Sequence, residues 1–187
     1  MTGHAALVLS LAGLAALAIA CSGGKADTVV TVERVIPAER VFTFDDISAA
    51  GAKKGKQYDV TGLRGATSAY LMFFGPNPSA RKDYEIRLYP SHEVAVRDGQ
   101  PLAEEGVGEG MKARKDTQSW KEGERDRWLA GGVTDVSSPG SRQAPGPKYW
   151  DYVIFGNVVM LCQGLDAQQS LENCSALVEA MGGRKLF

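Results

Sequence analysis

The sequence predicts an α+β protein, with a small antiparallel sheet and helices packed on one face of it. Asp83–Tyr89 alternates apolar and polar residues, as a half-buried strand does. The apolar, β-branched runs Tyr149–Phe155 and Asn157–Cys162 meet at Gly156, a spacing typical of a hairpin. Ser170–Met181 then places its apolar residues at helical spacing. These segments predict three strands and a C-terminal helix.

The remaining elements are predicted from weaker patterns. Thr28–Val35 is rich in β-branched residues, and it is either a strand or an extended spacer. Gly65–Phe74 is crowded with apolar residues, and we expect a short buried helix that stops at Gly75. Ser91 is a good N-cap for another short helix, which Gly99 would close. The resulting element order is ferredoxin-like in pattern only, which implies no function.

Length and charge bound the class of protein. The chain has 187 residues, which suits one domain and a short targeting segment. Its 21 basic and 22 acidic side chains give a net charge of −1. Such a balance lacks the positive field that nucleic acid binding needs, so we expect no nucleic acid partner.

The N-terminus carries the clearest signal. An uncharged apolar run from Ala5 to Ala20 is short for a transmembrane helix, which needs about 20 residues, but suits a signal peptide. It ends in Leu17-Ala18-Ile19-Ala20-Cys21, which resembles the lipobox of bacterial lipoproteins. An uncleaved hydrophobic anchor and an ordinary secretory signal are the alternatives.

The resemblance covers about the first 21 residues, and it implies where the mature chain begins. In that family a signal peptidase cuts before the cysteine, whose thiol carries a diacylglycerol. It therefore implies a signal peptide over residues 1–20, lipid on Cys21 and a location on the extracytoplasmic side of a bacterial membrane. Residues 21–40 would form the lipidated N-terminus and tether. Residues 41–187 would form one domain, with a long polar loop around 106–147.

The two other cysteines, Cys162 and Cys174, form an even pair in a protein that the signal predicts to be exported. We expect a disulfide that joins the last strand to the last helix; two buried free thiols are the alternative. The residues around them supply no further Cys or His, so we predict no metal site.

Candidate catalytic residues are few. His92 is the only histidine after residue 21, and it directly follows a predicted helix cap, which favours a structural role. No G-x-S-x-G motif accompanies it. The acidic pairs Asp45-Asp46 and Glu104-Glu105 match no calcium-loop pattern, and we interpret them as solvated charge. We therefore expect no catalytic residue and no cofactor.

Aromatic residues concentrate around the predicted loop, at Trp120, Trp128 and Trp150. Aromatic side chains among charges form either a partner-binding surface or a cover that folds back over the sheet. Both interpretations stay open.

These patterns favour a membrane-anchored envelope lipoprotein that acts as a non-catalytic interaction or ligand-binding module. Its expected contacts are the membrane, through lipid on Cys21, and an envelope protein or small ligand. A small envelope hydrolase that uses carboxylates or His92 is one alternative, and an accessory lipoprotein of a transport or assembly complex is another.

Overall fold

A computed structural model describes residues 32–111, 118–129 and 146–187. The predicted signal peptide, the lipidation site Cys21 and most of the tether lie outside these ranges. So do residues 112–117 and 130–145 of the predicted polar loop.

The described strands and helices follow one another along the chain in an α+β arrangement. The strands are β1 (Val35–Ile36), β2 (Lys53–Tyr58), β3 (Ser68–Phe74), β4 (Lys82–Leu88), β5 (Trp128–Leu129), β6 (Gly146–Pro147), β7 (Tyr149–Phe155) and β8 (Val158–Gln163). The helices are α1 (Phe44–Ala49), α2 (His92–Val94), α3 (Gln100–Glu104) and α4 (Ala167–Ala180), with a π-helical turn, Ala95–Gly99, joining α2 to α3.

Six strands form the main sheet, in the order β1-β7-β8-β4-β3-β2. All neighbours are antiparallel except β1, which runs parallel to β7 at one edge. Strands β4 and β7 run in the same direction with β8 between them, which is one split βαβ unit. The predicted α+β class and the largely antiparallel sheet are therefore confirmed, and the hairpin at Gly156-Asn157 joins β7 to β8 as predicted.

The helices lie on both faces of the sheet, so the expectation that they share one face is wrong in that detail. Leu177 of α4 and Ile47 of α1 pack with Met160 on one face. Ala103 of α3 packs with Leu161 on the other. The cause is the central hairpin, whose side chains are buried on both faces and so need a cover on each.

Two local predictions are also wrong. Residues 68–74 form strand β3 and not a helix, because this apolar run pairs with β2 and β4 on its two sides. Gly99 does not end a helix: the chain continues through it into α3. A Cβ at Gly99 would lie only 2.7 Å from the Tyr89 ring, so this glycine allows a close approach to the sheet.

Candidate functional site

A buried layer of charged side chains lies between the sheet and the segment Gln118–Leu129. Glu85 and Arg87 project from β4 on the face opposite α4, and Arg127 reaches them from a 3-10 turn. Each of the three is at most 1% exposed. The Glu85 carboxylate accepts from Arg127 Nε at 2.7 Å and from Arg87 Nη2 at 2.6 Å. Two cations thus share one buried carboxylate.

Trp120 lies against both guanidinium groups. Its ring centroid is 5.1 Å from Cζ of Arg87 and 4.6 Å from Cζ of Arg127, distances at which cation–π attraction operates. The indole N–H donates to the Asp59 carbonyl at 3.2 Å, and Tyr58 packs edge-on at 5.8 Å. The side chain is 3% exposed. Trp120 is therefore part of the cover over the sheet.

Arg127 also fixes the segment around it. Its Nη1 donates to Gln118 Oε1 at 2.9 Å and to the Trp120 carbonyl at 3.3 Å, while Nη2 donates to the Glu122 carbonyl at 2.8 Å. One guanidinium group thus ties a stretch of irregular chain to β4. Part of the predicted polar loop is consequently held against the sheet.

The layer carries one more positive than negative charge, since two guanidinium groups face one carboxylate. Burial alone would raise the pKa of the Glu85 carboxyl, but Arg127 and Arg87 outweigh burial and lower it. Burial, reinforced by the Glu85 charge, raises the pKa of the Tyr149 hydroxyl, which keeps its proton. The layer is therefore ionised as an Arg–Glu–Arg triad with protonated donors beside it.

Two donor-bearing groups of this face, Gln118 Nε2 and the Tyr149 hydroxyl, have no hydrogen-bond partner among the described residues, while the Tyr89 hydroxyl interacts with the Arg87 guanidinium. Buried donors of this kind favour an acceptor or an anion beside them. The layer is poorly suited to acid–base chemistry, because Glu85, its carboxylate, is held ionised by two guanidinium groups. The arrangement can bind and position, and it also stabilises the cover.

His92 has the structural placement that the sequence favoured. It is the first residue of α2, whose N-cap Ser91 accepts from Val94 N at 3.4 Å. The imidazole Nδ1 lies 2.8 Å from the Gly156 carbonyl oxygen, so Nδ1 carries the proton and donates it to the hairpin turn. His92 thus links the start of α2 to the β7–β8 turn.

We expect His92→Ala to leave any binding activity of the protein unchanged at equal abundance, with a small loss of stability of about 1 kcal/mol from one hydrogen bond. Thermal unfolding and a binding assay on the same preparation test this together. A large loss of activity in a folded variant would place a working site around His92.

The acidic pairs Asp45-Asp46 and Glu104-Glu105 accept hydrogen bonds from backbone N–H groups and from side chains. Asp46 Oδ2 accepts from Thr43 N at 2.8 Å and closes a capping box at the start of α1. That bond, the Thr43 hydroxyl and Arg40 lower the pKa of Asp46 to about 2. Glu105 accepts from Ser119 N at 2.8 Å, and Glu104 accepts from the Tyr152 hydroxyl at 3.0 Å.

Cys162 and Cys174 are joined by a disulfide, with a Cα–Cα distance of 5.6 Å, which confirms the predicted pair. The bond connects β8 to α4 in the core. Of the two interpretations of Trp120, its burial between two arginines favours the cover over the sheet rather than a partner-binding surface. Trp128 and Trp150 are half-buried, and their role in binding stays a prediction.

Across the described ranges, His, Cys, Asp and Glu side chains form no group of three or more that could hold a metal ion. None of the helices described is both long and apolar enough to cross a bilayer. Lipidation at Cys21 lies outside these ranges and stays a prediction.

A protein-family model described as a family of unknown function (DUF6810) matches residues 43–183, which include α1, the main sheet from β2 onward and α4. No curated protein and no solved structure matches the chain.

Proposed function

The chain belongs to the DUF6810 family, whose function is unknown, and we propose that it is a lipid-anchored protein of the bacterial cell envelope whose domain is a non-catalytic interaction or ligand-binding module. The observation that carries the proposal is the apolar run ending in Ala18-Ile19-Ala20-Cys21. Its length suits a signal peptide, and the small residues before Cys21 resemble a lipobox.

The way the chain enters the domain supports an anchor. The described chain starts at Val32 and joins the sheet edge as β1. Arg34 donates to both carboxylate oxygens of Asp151 at 2.7 Å, which clamps the entry point. Residues 21–31 then separate the lipidation site from the domain, and eleven residues reach at most about 40 Å. The domain would stay close to the membrane.

The chemistry of the described side chains supports binding over catalysis. His92 donates to a backbone carbonyl, Asp46 and Glu105 cap backbone N–H groups, and the two cysteines are bonded to each other. An activated nucleophile needs a nearby base and usually a third group that orients the base. The candidate site instead offers buried donors beside an excess positive charge.

Cys21→Ser should prevent lipidation, so the variant is expected to leave the membrane fraction or to accumulate with residues 1–20 attached. Membrane pelleting followed by a salt wash measures the first outcome, and gel mobility measures the second. Ser22→Ala is the control, because it leaves the thiol in place. Normal size and membrane retention of Cys21→Ser would contradict lipid anchoring.

The interaction module is tested by crosslinking the anchored protein in cells and capturing it, with Arg127→Met as the comparison. We expect a specific crosslinked protein or ligand with the native chain and its loss in the variant, which loosens the cover over the sheet. Turnover of an envelope substrate by the purified protein would contradict a non-catalytic role.

A further inference from the structure

One end of the main sheet is basic. The strand register brings the start of β2, the end of β3, the start of β4, the end of β8 and the start of β7 to this end. We call it the basic end and define it by its cations: Lys53, Lys54, Arg81, Lys82 and Lys148. Lys53 and Arg81 are exposed to solvent.

Most of this charge is not neutralised within the protein. Among the described residues, Lys53, Arg81 and Lys82 have no carboxylate within 4.0 Å of their charged groups. Lys148 alone is paired, with Asp83 at 2.7 Å. Asp166 caps α4 by accepting from Gln169 N at 2.8 Å, and Glu109 follows Gly108, whose N–H donates to the Tyr149 carbonyl at this end. With five cations against Asp83, Asp166 and Glu109, the described residues of the basic end still carry a net positive charge.

An exposed apolar residue lies at the same end. Leu165 is in the turn that follows β8 and precedes α4, and it is 51% exposed. With Val41 and Phe187, it is one of three large apolar side chains that are exposed among the described residues. A leucine beside lysines suits the boundary between lipid headgroups and acyl chains.

The described chain enters the domain from the same end of the sheet. Strand β1 is parallel to β7, with Val35 opposite Ile154 and Ile36 opposite Phe155. The chain before Val35 therefore extends toward Tyr149, the residue at which β7 begins at the basic end. The contact between Arg34 and Asp151 continues this direction.

We propose that the basic end rests on the anchoring membrane and binds the anionic headgroups of its phospholipids. The proposal rests on the proposed lipid anchor, since the anchor brings this surface to the bilayer. Five strands at about 4.8 Å spacing spread the charges over roughly 19 Å. A flat, dispersed set of cations fits a plane of headgroups better than one small anion, which needs converging donors.

The test uses the full mature protein reconstituted in vesicles, with acylation of lysine amines as the readout. One vesicle is phosphatidylcholine alone, and the other contains one third phosphatidylglycerol. We expect Lys53 and Lys82 to react at least severalfold more slowly on the anionic vesicle, and added salt to abolish the difference. Lys185 serves as an internal reference, because Leu186 N bonds to Ser175 Oγ and so holds this stretch beside the middle of α4.

The variant Lys53→Gln/Arg81→Gln removes two charges, and the docking equilibrium constant should fall about thirtyfold, read as renewed acylation of Lys82. The control Arg64→Gln/Arg125→Gln removes the same charge from exposed positions elsewhere, keeps Lys185 as the reference, and should leave Lys82 protected. The proposal would be overturned if Lys53 and Lys82 were acylated equally on the two vesicles. It would also be overturned if both variants lost the protection of Lys82 to the same extent. Equal protection by inorganic phosphate on neutral vesicles would also overturn it.

Intact mass of the same preparation separates this proposal from the lipid anchor. A lipidated chain whose Lys53 and Lys82 are unprotected refutes only the proposal that the basic end binds the membrane. A chain without lipid refutes the anchor, and the same protein added to the vesicles from outside then decides whether the basic end binds them.

Discussion

Arg127→Met is expected to lower the free energy of unfolding by about 3–5 kcal/mol, the usual loss when one partner of a buried ion pair is removed. Glu85 would remain buried with only Arg87 to neutralise it. The variant also loses the bonds from Arg127 to Gln118, Trp120 and Glu122, which hold the cover on the sheet. Urea unfolding measures the difference.

The control for this substitution is Arg125→Met, because Arg125 lies two residues away and is exposed. It should change the free energy of unfolding by less than about 0.5 kcal/mol. A similar, small effect of both variants would show that the buried layer contributes nothing to stability.

The pH dependence of the same pair tests the ionisation of the layer. Because the pKa of Glu85 is lowered in the folded protein, its contribution is present above the ordinary carboxyl pKa of 4.5 and is lost as the pH falls through the lowered value. Arg127→Met removes one of the two cations beside Glu85, so the pKa of Glu85 is lowered less in the folded variant than in the folded native protein. The stability difference between native and variant should therefore narrow below about pH 4.5.

Cys162→Ala/Cys174→Ala is expected to cost about 3 kcal/mol, since the disulfide closes a loop of about 13 residues in the unfolded chain. The two cysteines are 12 positions apart and both are buried, so lost packing adds to the effect. Guanidinium unfolding of the native and double-variant proteins measures it.

Reduction of the native protein provides the control for the double variant. It breaks the S–S bond and adds one hydrogen to each sulfur, so no packing atom is removed. We expect reduction to produce most of the loss. If reduced and oxidised native protein unfold at the same denaturant concentration, the disulfide does not stabilise the fold.

Elements with a complete local signal were predictable from the sequence. The alternation in Asp83–Tyr89 identified β4, Gly156-Asn157 identified the hairpin, and the spacing in Ser170–Met181 identified α4. Each signal lies within one continuous segment and depends on a short-range physical requirement. The cysteine pair was predictable too, from number and compartment.

Strand β3 was missed because its apolar run does not alternate. Ala69 and Met72 are both fully buried, although they lie on opposite faces of the sheet. A strand covered on both faces carries no period of two, and a short apolar run cannot be distinguished from a buried helix. The partner strands that decide the matter are distant in sequence.

The buried charged layer was missed for a related reason. Glu85 and Arg87 occupy the polar face of an alternating strand, which ordinarily faces solvent. Their cover comes from Trp120 and Arg127, more than thirty positions later, in a stretch whose glycines and charges indicate a loop. The sequence did contain one signal of this layer. Two opposite charges stand two residues apart in a central strand, and a later loop supplies a Trp and an Arg that can cover them.

The central claim, a lipid anchor on a folded envelope domain, is tested most directly by intact-mass measurement of the protein extracted from membranes. The account predicts a chain that begins at Cys21 and carries the added mass of a diacylglycerol, with or without a further acyl group on its amine. A chain that begins at any other residue, or that retains residues 1–20 without lipid, would contradict it.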